Sequence, residues 1–462
     1  MDQLSRRSFF KLGGAAAAGA ALAPRLGLAR ATASGETTLA QTIVRGARIG
    51  QGTRQAYYRL AAGPGEPHLL RQELAKRSSS PRRTSLLHFA HFTDIHLIDA
   101  QSPARVEFLD RYTDLQCGSE TPFDAAYRPH ETLTVHVLEA MIRRMNAIAV
   151  SPVTGARIEF TMCTGDNIDN KQLNEARWFI DTMDGKLVTV NSGARDKYEG
   201  VMLHSWGDQE YWQPDPTTPT NTDKYKREYG FPDYPGLLER SIIPFDASGL
   251  RVPWFQVFGN HDGLLQGNAP KNPVFDTIAT GPVKVTALPG IDPCDSFDII
   301  RNHPTTFLAA PAHVVAADKT RALVSHARYI AEHFRSPSFP GPIGHGFTTE
   351  NLEKDTGYYT IDTHPGFRLI GLDTLNPGGY SEGSIGDLQL KWLSARLTEV
   401  SSRHLDANGR WVTTRNKDKL IILFSHHGLR SLNTPLTTPS PDVQDDVDTS
   451  DLPRHVTDDV QA

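Results

Sequence analysis

Four short polar motifs stand along this chain, and each directly follows an apolar, strand-like run. Residues 86–92 lead into Asp94-Ile95-His96, and residues 158–163 lead into Gly165-Asp166-Asn167-Ile168-Asp169-Asn170. Residues 252–258 lead into Gly259-Asn260-His261-Asp262, and residues 420–424 into His426-His427. A chain patterned this way carries carboxylates, an amide and imidazoles at successive strand ends. Hard ligands so presented can converge on a metal pair. Two divalent cations about 3.5–4 Å apart can clamp a phosphate and activate a water between them.

Helical periods separate these strands. Residues 131–150 carry Leu133, Val137, Leu138, Met141, Met145 and Ile148 on a roughly helical spacing, then pass through Ser151-Pro152 into the second motif strand. Residues 171–183 read as the next helix, with Asn170 as its N-cap. This β–motif–α alternation predicts an α/β layered domain. Residues 358–363 and 367–374 read as paired strands across His364-Pro365-Gly366, residues 388–400 as a helix, and residues 419–425 as a buried strand.

Two stretches break the rhythm. Residues 184–250 are rich in Asp, Pro, Thr and aromatic residues, and residues 263–350 carry helical potential over 316–334. Structureless loops of such length are unusual inside a compact domain, so the first is expected to form a lid or subdomain. Its aromatic content and its place between two motifs predict that it walls a substrate pocket. The domain reading is a lead-in over 34–84, the motif-bearing domain over 85–432 and an acidic polar tail over 433–462. The tail has few apolar residues to bury and is expected to pack poorly.

The N-terminus reads as a targeting segment. Ser5-Arg6-Arg7-Ser8-Phe9-Phe10-Lys11 fits the twin-arginine pattern, a mildly apolar Ala/Gly-rich run follows, and Ala31-Thr32-Ala33 offers a small-residue cleavage site. Export by the twin-arginine translocase is therefore expected, with residues 1–33 removed. Those residues hold five basic side chains and one acidic one, so the net charge of −5 becomes more negative by four once they are gone. Nucleic-acid binding is not expected of such a protein. No further run of 18 apolar residues exists, so no stable membrane span is expected in the mature protein. Cys117, Cys163 and Cys294 allow at most one disulfide and no cysteine-based zinc site.

Each motif offers chemistry. Asp94 and His96, two apart at a strand end, would share a face if extended and could bind one cation together. His91 and Asp99 read as supporting or surface residues. Gly165 permits a sharp exit from its strand, and the two oxygens of Asp166 can bridge two cations. Asp169 can orient a ligand from behind. Asn260 offers an amide oxygen, a ligand that adds no charge. His261 beside it can donate a proton or hydrogen bond to a leaving oxygen.

The order D-x-H, G-D-x-x-D-N, G-N-H-D, H-H resembles the calcineurin-like metallophosphoesterase family. Leu372-Asp373-Thr374 and Gly386-Asp387-Leu388-Gln389-Leu390-Lys391-Trp392-Leu393 also match a habit of that family between its third and fourth motifs. The resemblance spans about residues 86–430, and twin-arginine export with long inserts resembles a bacterial subgroup of that family. It implies a four-layer α/β/β/α sandwich interrupted by the two insertions. It implies two divalent metal ions (Mn, Fe, Zn or Ca) held by Asp94, His96, Asp166, Asn260 and His426, with Asp166 bridging. His261 would be catalytic, and Asp169, Asn170 and His427 would be supporting or alternative residues. The implied substrate is a phosphate mono- or diester.

Two departures accompany the resemblance. Purple acid phosphatases place a ferric-binding tyrosine where Asp169 stands, which argues against a purple iron site. The family also ends in G-H-x-H, one further ligand for each metal, and nothing after His427 matches it. Gly344-His345-Gly346 lies too early, and His455 is the only later histidine. The expectation is a sequence truncated before that element, or a site with reduced metal affinity, incomplete and partly exposed. The competing function is a secreted binding or scaffold protein on a degenerate form of the same fold.

Overall fold

The computed structural model describes residues 37–49, 52–53, 58–67, 69, 84–112, 126–335, 337–362, 364–436 and 452–461. The targeting segment, Cys117 and much of the acidic tail lie outside them. Cys163 is buried and free, and Cys294 is disulfide-bonded. The architecture mixes helices with small sheets, as expected of an α/β chain.

Two three-stranded sheets hold the motif strands. In the first, β1 (Ala90–Phe92), β2 (Thr161–Cys163) and β3 (Trp254–Gln256) run parallel with β2 in the middle. Phe92 lies opposite Cys163, and Cys163 opposite Gln256. Parallel pairing in this register brings all three C-terminal ends to one edge, and the first three motifs leave from there. In the second sheet, β5 (Phe367–Gly371) runs antiparallel to β4 (Tyr359–Ile361) and parallel to β6 (Leu420–Phe424). Gly371 pairs with Phe424, so Asp373 and Thr374 emerge beside His426 and His427.

One apolar core joins the sheets. Phe92, Cys163, Trp254 and Phe258 pack in the same cluster as Tyr359, Phe367, Leu369 and Phe424. The Tyr359 hydroxyl donates to the Gln256 carbonyl, tying β4 to β3. Helix α1 (Thr134–Ile148) buries Val135, Leu138, Ile142 and Met145 on this core, and α2 (Leu173–Met183) buries Ala176, Phe179, Ile180 and Met183. These spacings of three and four keep one stripe of each helix facing inward. Each of these side chains larger than alanine contributes roughly 1.5–3 kcal/mol by leaving water.

Several expectations need correcting. The first motif strand is three residues long, because residues 84–89 lie outside any strand and Leu86 is exposed. β6 is not buried. It is the edge of its sheet, and Leu420 and Leu423 remain 56% and 45% exposed. The helix expected over 316–334 shrinks to His326–Glu332, capped by Ser325. Asn170 does not cap α2. That place belongs to Gln172, and the Asn170 carboxamide accepts instead from the Gln266 backbone.

The inserted segments carry apolar clusters of their own. Tyr198, Tyr211, Trp212, Leu237 and Leu238 pack with Ile98 and Tyr127. Phe275, Ile278, Ile300 and Phe307 pack with Val106 and Phe108. Both clusters therefore close over the chain that follows the first motif. The described end of the tail also packs, against expectation: Leu452 is buried, and the His455 backbone pairs with Ile385. Among the described residues, no helix is long and apolar enough to cross a membrane.

Candidate functional site

The site begins with backbone geometry. Asp94, His96 and Asp166 all have positive φ, at 52°, 46° and 50°. This corrects the extended reading of Asp94-Ile95-His96. Left-handed conformations cost a non-glycine residue roughly 1–3 kcal/mol, and they persist only where surrounding structure imposes them. Here two segments impose them on each other. The Asp94 amide donates to the Gly165 carbonyl at 3.2 Å and the His96 amide to the Asp166 carbonyl at 2.8 Å. Beyond them, Leu97 donates to Asn167 and Asp169 donates back to Leu97.

Two glycines let the second and third motifs touch. A Cβ on Gly165, whose φ is +85°, would lie 2.6 Å from the Gly259 nitrogen. A Cβ on Gly259 would lie 2.2 Å from Asp166 Oδ1. The His261 amide donates to that Oδ1 at 2.9 Å. Asp262 completes the turn: its carboxylate accepts from the amides of Asn167, Ile168 and Gly259, and from the Tyr329 hydroxyl.

The side chains then converge on Asp166. Ligand atoms of His96, Asp166 and His261 lie within 4.8 Å of one another, and so do those of Asp94, Asp166 and His426. Asp166 belongs to both groups. Its Oδ2 lies 3.4 Å from His96 Nε2 and 3.4 Å from His426 Nε2. Asn260 Oδ1 lies 3.1 Å from His426 Nε2, while its Nδ2 donates to the Gly267 carbonyl at 2.9 Å. All five sequence-derived ligands and His261 thus come together.

The ring nitrogens facing away from Asp166 have anchors. His96 Nδ1 meets Asp169 Oδ1 at 2.8 Å, His426 Nδ1 meets the Thr164 carbonyl at 2.9 Å, and His261 Nδ1 meets the Asp169 carbonyl at 2.8 Å. Each anchor is an acceptor, so each Nδ1 carries its hydrogen and Nε2 is the atom left for chemistry. The His96 and His261 rings meet edge to face at 4.4 Å. Asp169 is wholly buried, and two guanidiniums also bind it: Arg105 on Oδ2, and Arg128 on Oδ1 at 2.8 Å.

The electrostatics are those of a tight cluster of opposite charges. Burial opposes ionisation of Asp166, but His261, His426 and His96 outweigh it and hold the carboxyl well below its usual range. Burial likewise opposes protonation of His96, yet Asp169, Asp94 and Asp166 hold it up to about 10. For His426, Asp166 outweighs burial and holds it at about 9. An imidazole must shed its Nε2 proton before it ligates a cation, so cation binding here would release protons.

The other candidates stand apart. His427 turns away, with Nδ1 on Thr374 Oγ1 at 2.8 Å and Nε2 on the Ser381 carbonyl at 3.0 Å. Asn170 binds Gln266 and Gln172 behind the site. Asp99 is buried, held by Ser192 and Asn174. His345 stacks on Trp254 in β3, whose C-terminal end carries the third motif. His455 binds Asp387 and adds no ligand. Sequence reasoning missed Arg105 and Arg128. They lie 64 and 41 residues from Asp169, and nothing local in the sequence pairs them with it.

Comparisons with protein-family models, with curated proteins and with solved structures find no match to this chain.

Proposed function

We propose that this chain is an exported, metal-dependent phosphoesterase on a four-layer α/β/β/α sandwich, hydrolysing a phosphate mono- or diester. The observation that carries this reading is the single buried carboxylate of Asp166, shared between two groups of ligand atoms. Carboxylate oxygens, an amide oxygen and imidazole nitrogens are a donor set that fits divalent cations such as Mn, Fe or Zn. Two bound cations would supply positive charge against the phosphoryl group and make a water acidic enough to attack it.

The chain's own residues prepare that chemistry. Asp94, Asp166, Asn260 and His426 form one set of donors, and His96 and Asp166 the start of the other. Asp169 holds the His96 ring with Nε2 toward Asp166, and the Thr164 carbonyl does the same for His426. The Gly267 carbonyl fixes the Asn260 amide, leaving its oxygen for ligation. His261 keeps Nδ1 on the Asp169 carbonyl, so Nε2 is the atom that can pass a proton to the leaving oxygen. The Asp94 side chain is 54% exposed, which leaves the site open to substrate on that side.

The test is metal content together with turnover. Purified protein should bind Mn(II) or Zn(II) and hydrolyse p-nitrophenyl phosphate or its bis-ester, with loss of both on Asp166→Ala. Metal bound with no turnover on either ester would favour the secreted binding-protein reading. No metal bound would end the metalloenzyme reading.

A further inference from the structure

The buried Asp169 carboxylate is paired with two guanidiniums and an imidazole. Arg105, wholly buried, already pairs with Oδ2, and the His96 imidazole occupies Oδ1. Arg128 is a second guanidinium on that carboxylate, and its surroundings differ. Its side chain is 28% exposed, where that of Arg105 is 0%. It spends only Nη1 on Asp169. A guanidinium carries five N–H donors in a planar fork, and among the described residues the other donors of Arg128 meet no partner. One carboxylate oxygen therefore stands between the His96 ring and a cation that still has donors to offer.

The turn that presents Arg128 is braced on both sides. The Ala126 carbonyl accepts from Arg105 Nη2 at 2.9 Å and from Gln266 Nε2 at 3.0 Å. Tyr127 packs edge-on against Tyr211 and Tyr225, and its hydroxyl accepts from the Trp212 amide at 3.1 Å. The buried Glu131 carboxylate binds Arg105 at 2.9 Å. This turn precedes α1, and the aromatics that lock Tyr127 belong to the first insertion. The insertion thus sets the position of a cation beside the site, which is preorganisation of the kind a binding group needs.

We propose that Arg128 is a substrate-binding residue that grips the phosphoryl group and selects phosphate monoesters over diesters. The proposal rests on the phosphoesterase reading above. A monoester brings a dianion with three non-bridging oxygens; a diester brings a monoanion with two. A planar fork of donors gains most from the extra charge and the extra oxygen. Lysine offers the charge without the fork and is a partial substitute.

The experiment compares wild type, Arg128→Ala and Arg128→Lys in three measurements: Mn(II) affinity, calorimetric titration of the Mn-loaded protein with inorganic phosphate, and kcat/KM on p-nitrophenyl phosphate and bis(p-nitrophenyl) phosphate. In Arg128→Ala, Mn(II) affinity should stay close to wild type. Phosphate affinity should fall about tenfold or more, and monoester kcat/KM about a hundredfold. The monoester loss should exceed the diester loss by about tenfold, with Arg128→Lys in between. Equal losses on both esters would overturn the selectivity. Loss of Mn(II) affinity would show Arg128 to be only a positioning partner of Asp169, and would overturn the proposal too. Wild type that binds neither Mn(II) nor phosphate would refute the phosphoesterase reading itself, and this inference with it. Phosphate affinity unchanged by Arg128→Ala would refute this inference alone.

Discussion

Asp169 Oδ1 lies 2.8 Å from His96 Nδ1, so a carboxylate with no solvent exposure sets the ring whose other nitrogen faces Asp166. Burial opposes ionisation of Asp169, but Arg128 and then Arg105 outweigh it and hold the carboxyl well below its usual range, with His261 and His96 adding to them. The charge on Asp169 and the orientation of His96 are therefore one property of the site.

Asp169→Asn tests that link. The variant keeps the shape and loses the charge. Mn(II) affinity should fall about 10–100-fold, as when the partner behind a metal-binding histidine is removed. Stability should also fall, by about 3 kcal/mol or more, because Arg105 is left buried with less compensation. Calorimetric metal titration and urea unfolding read the two effects. Unchanged metal affinity would detach Asp169 from the site.

Gly259→Ala probes the close approach of two motifs. Its methyl group would fall 2.2 Å from Asp166 Oδ1 and 2.3 Å from the Asp166 nitrogen, so backbone must move. Overpacking of this kind costs about 1–3 kcal/mol. Metal should be lost along with stability, since the displaced atoms include the shared carboxylate. A stable variant with wild-type metal content would show that the contact is relaxed in solution.

His426 and His427 should separate cleanly, although they are neighbours. His426→Ala removes a donor that faces Asp166 and should reduce the bound metal. His427→Ala should keep the metal and lose about 1–3 kcal/mol of stability, because it takes away the partner of the Thr374 hydroxyl and the Ser381 carbonyl. Burial and the charge of His426 hold the His427 imidazole down at about 4, so it is neutral at pH 7. Metal analysis of the two variants decides, and equal losses would contradict the geometry.

A pH effect should come from His326, which lies outside the ligand groups. Burial opposes its protonation, but Asp355 at 2.6 Å and Asp373 at 2.8 Å outweigh burial and hold it up to about 10, against 6.5 when free. A raised value means that the folded state binds the proton more tightly than the unfolded state. The stabilisation is complete below pH 6.5 and fades as pH rises through 10. Its size is on the order of a few kcal/mol, reduced by the half-exposed Asp355. Denaturant unfolding of wild type and His326→Gln at pH 6, 8 and 10 should show the gap between them narrowing as pH rises. A constant gap would mean that the imidazole is not charged.

The sequence by itself determined which side chains could meet. Ligand types are local, and so are the apolar runs that deliver them, which is why Asp94, His96, Asp166, Asn260, His261 and His426 were all legible. The alternation of strands and helices followed from the same local patterns. Only the tertiary structure decided how the motifs are bent and braced. The left-handed turns at Asp94, His96 and Asp166 exist because two segments about 70 residues apart exchange backbone hydrogen bonds, and no window of sequence contains both. Position in the sheet left the apolar strand Leu420–Phe424 half exposed, because an edge strand lacks one neighbour. Asn170 and His427 read as supporting or alternative residues, and long-range hydrogen bonds hold them to partners outside the ligand groups. Arg105 and Arg128 showed no local signal, because what gives them meaning is a carboxylate 64 and 41 residues away that burial makes them serve.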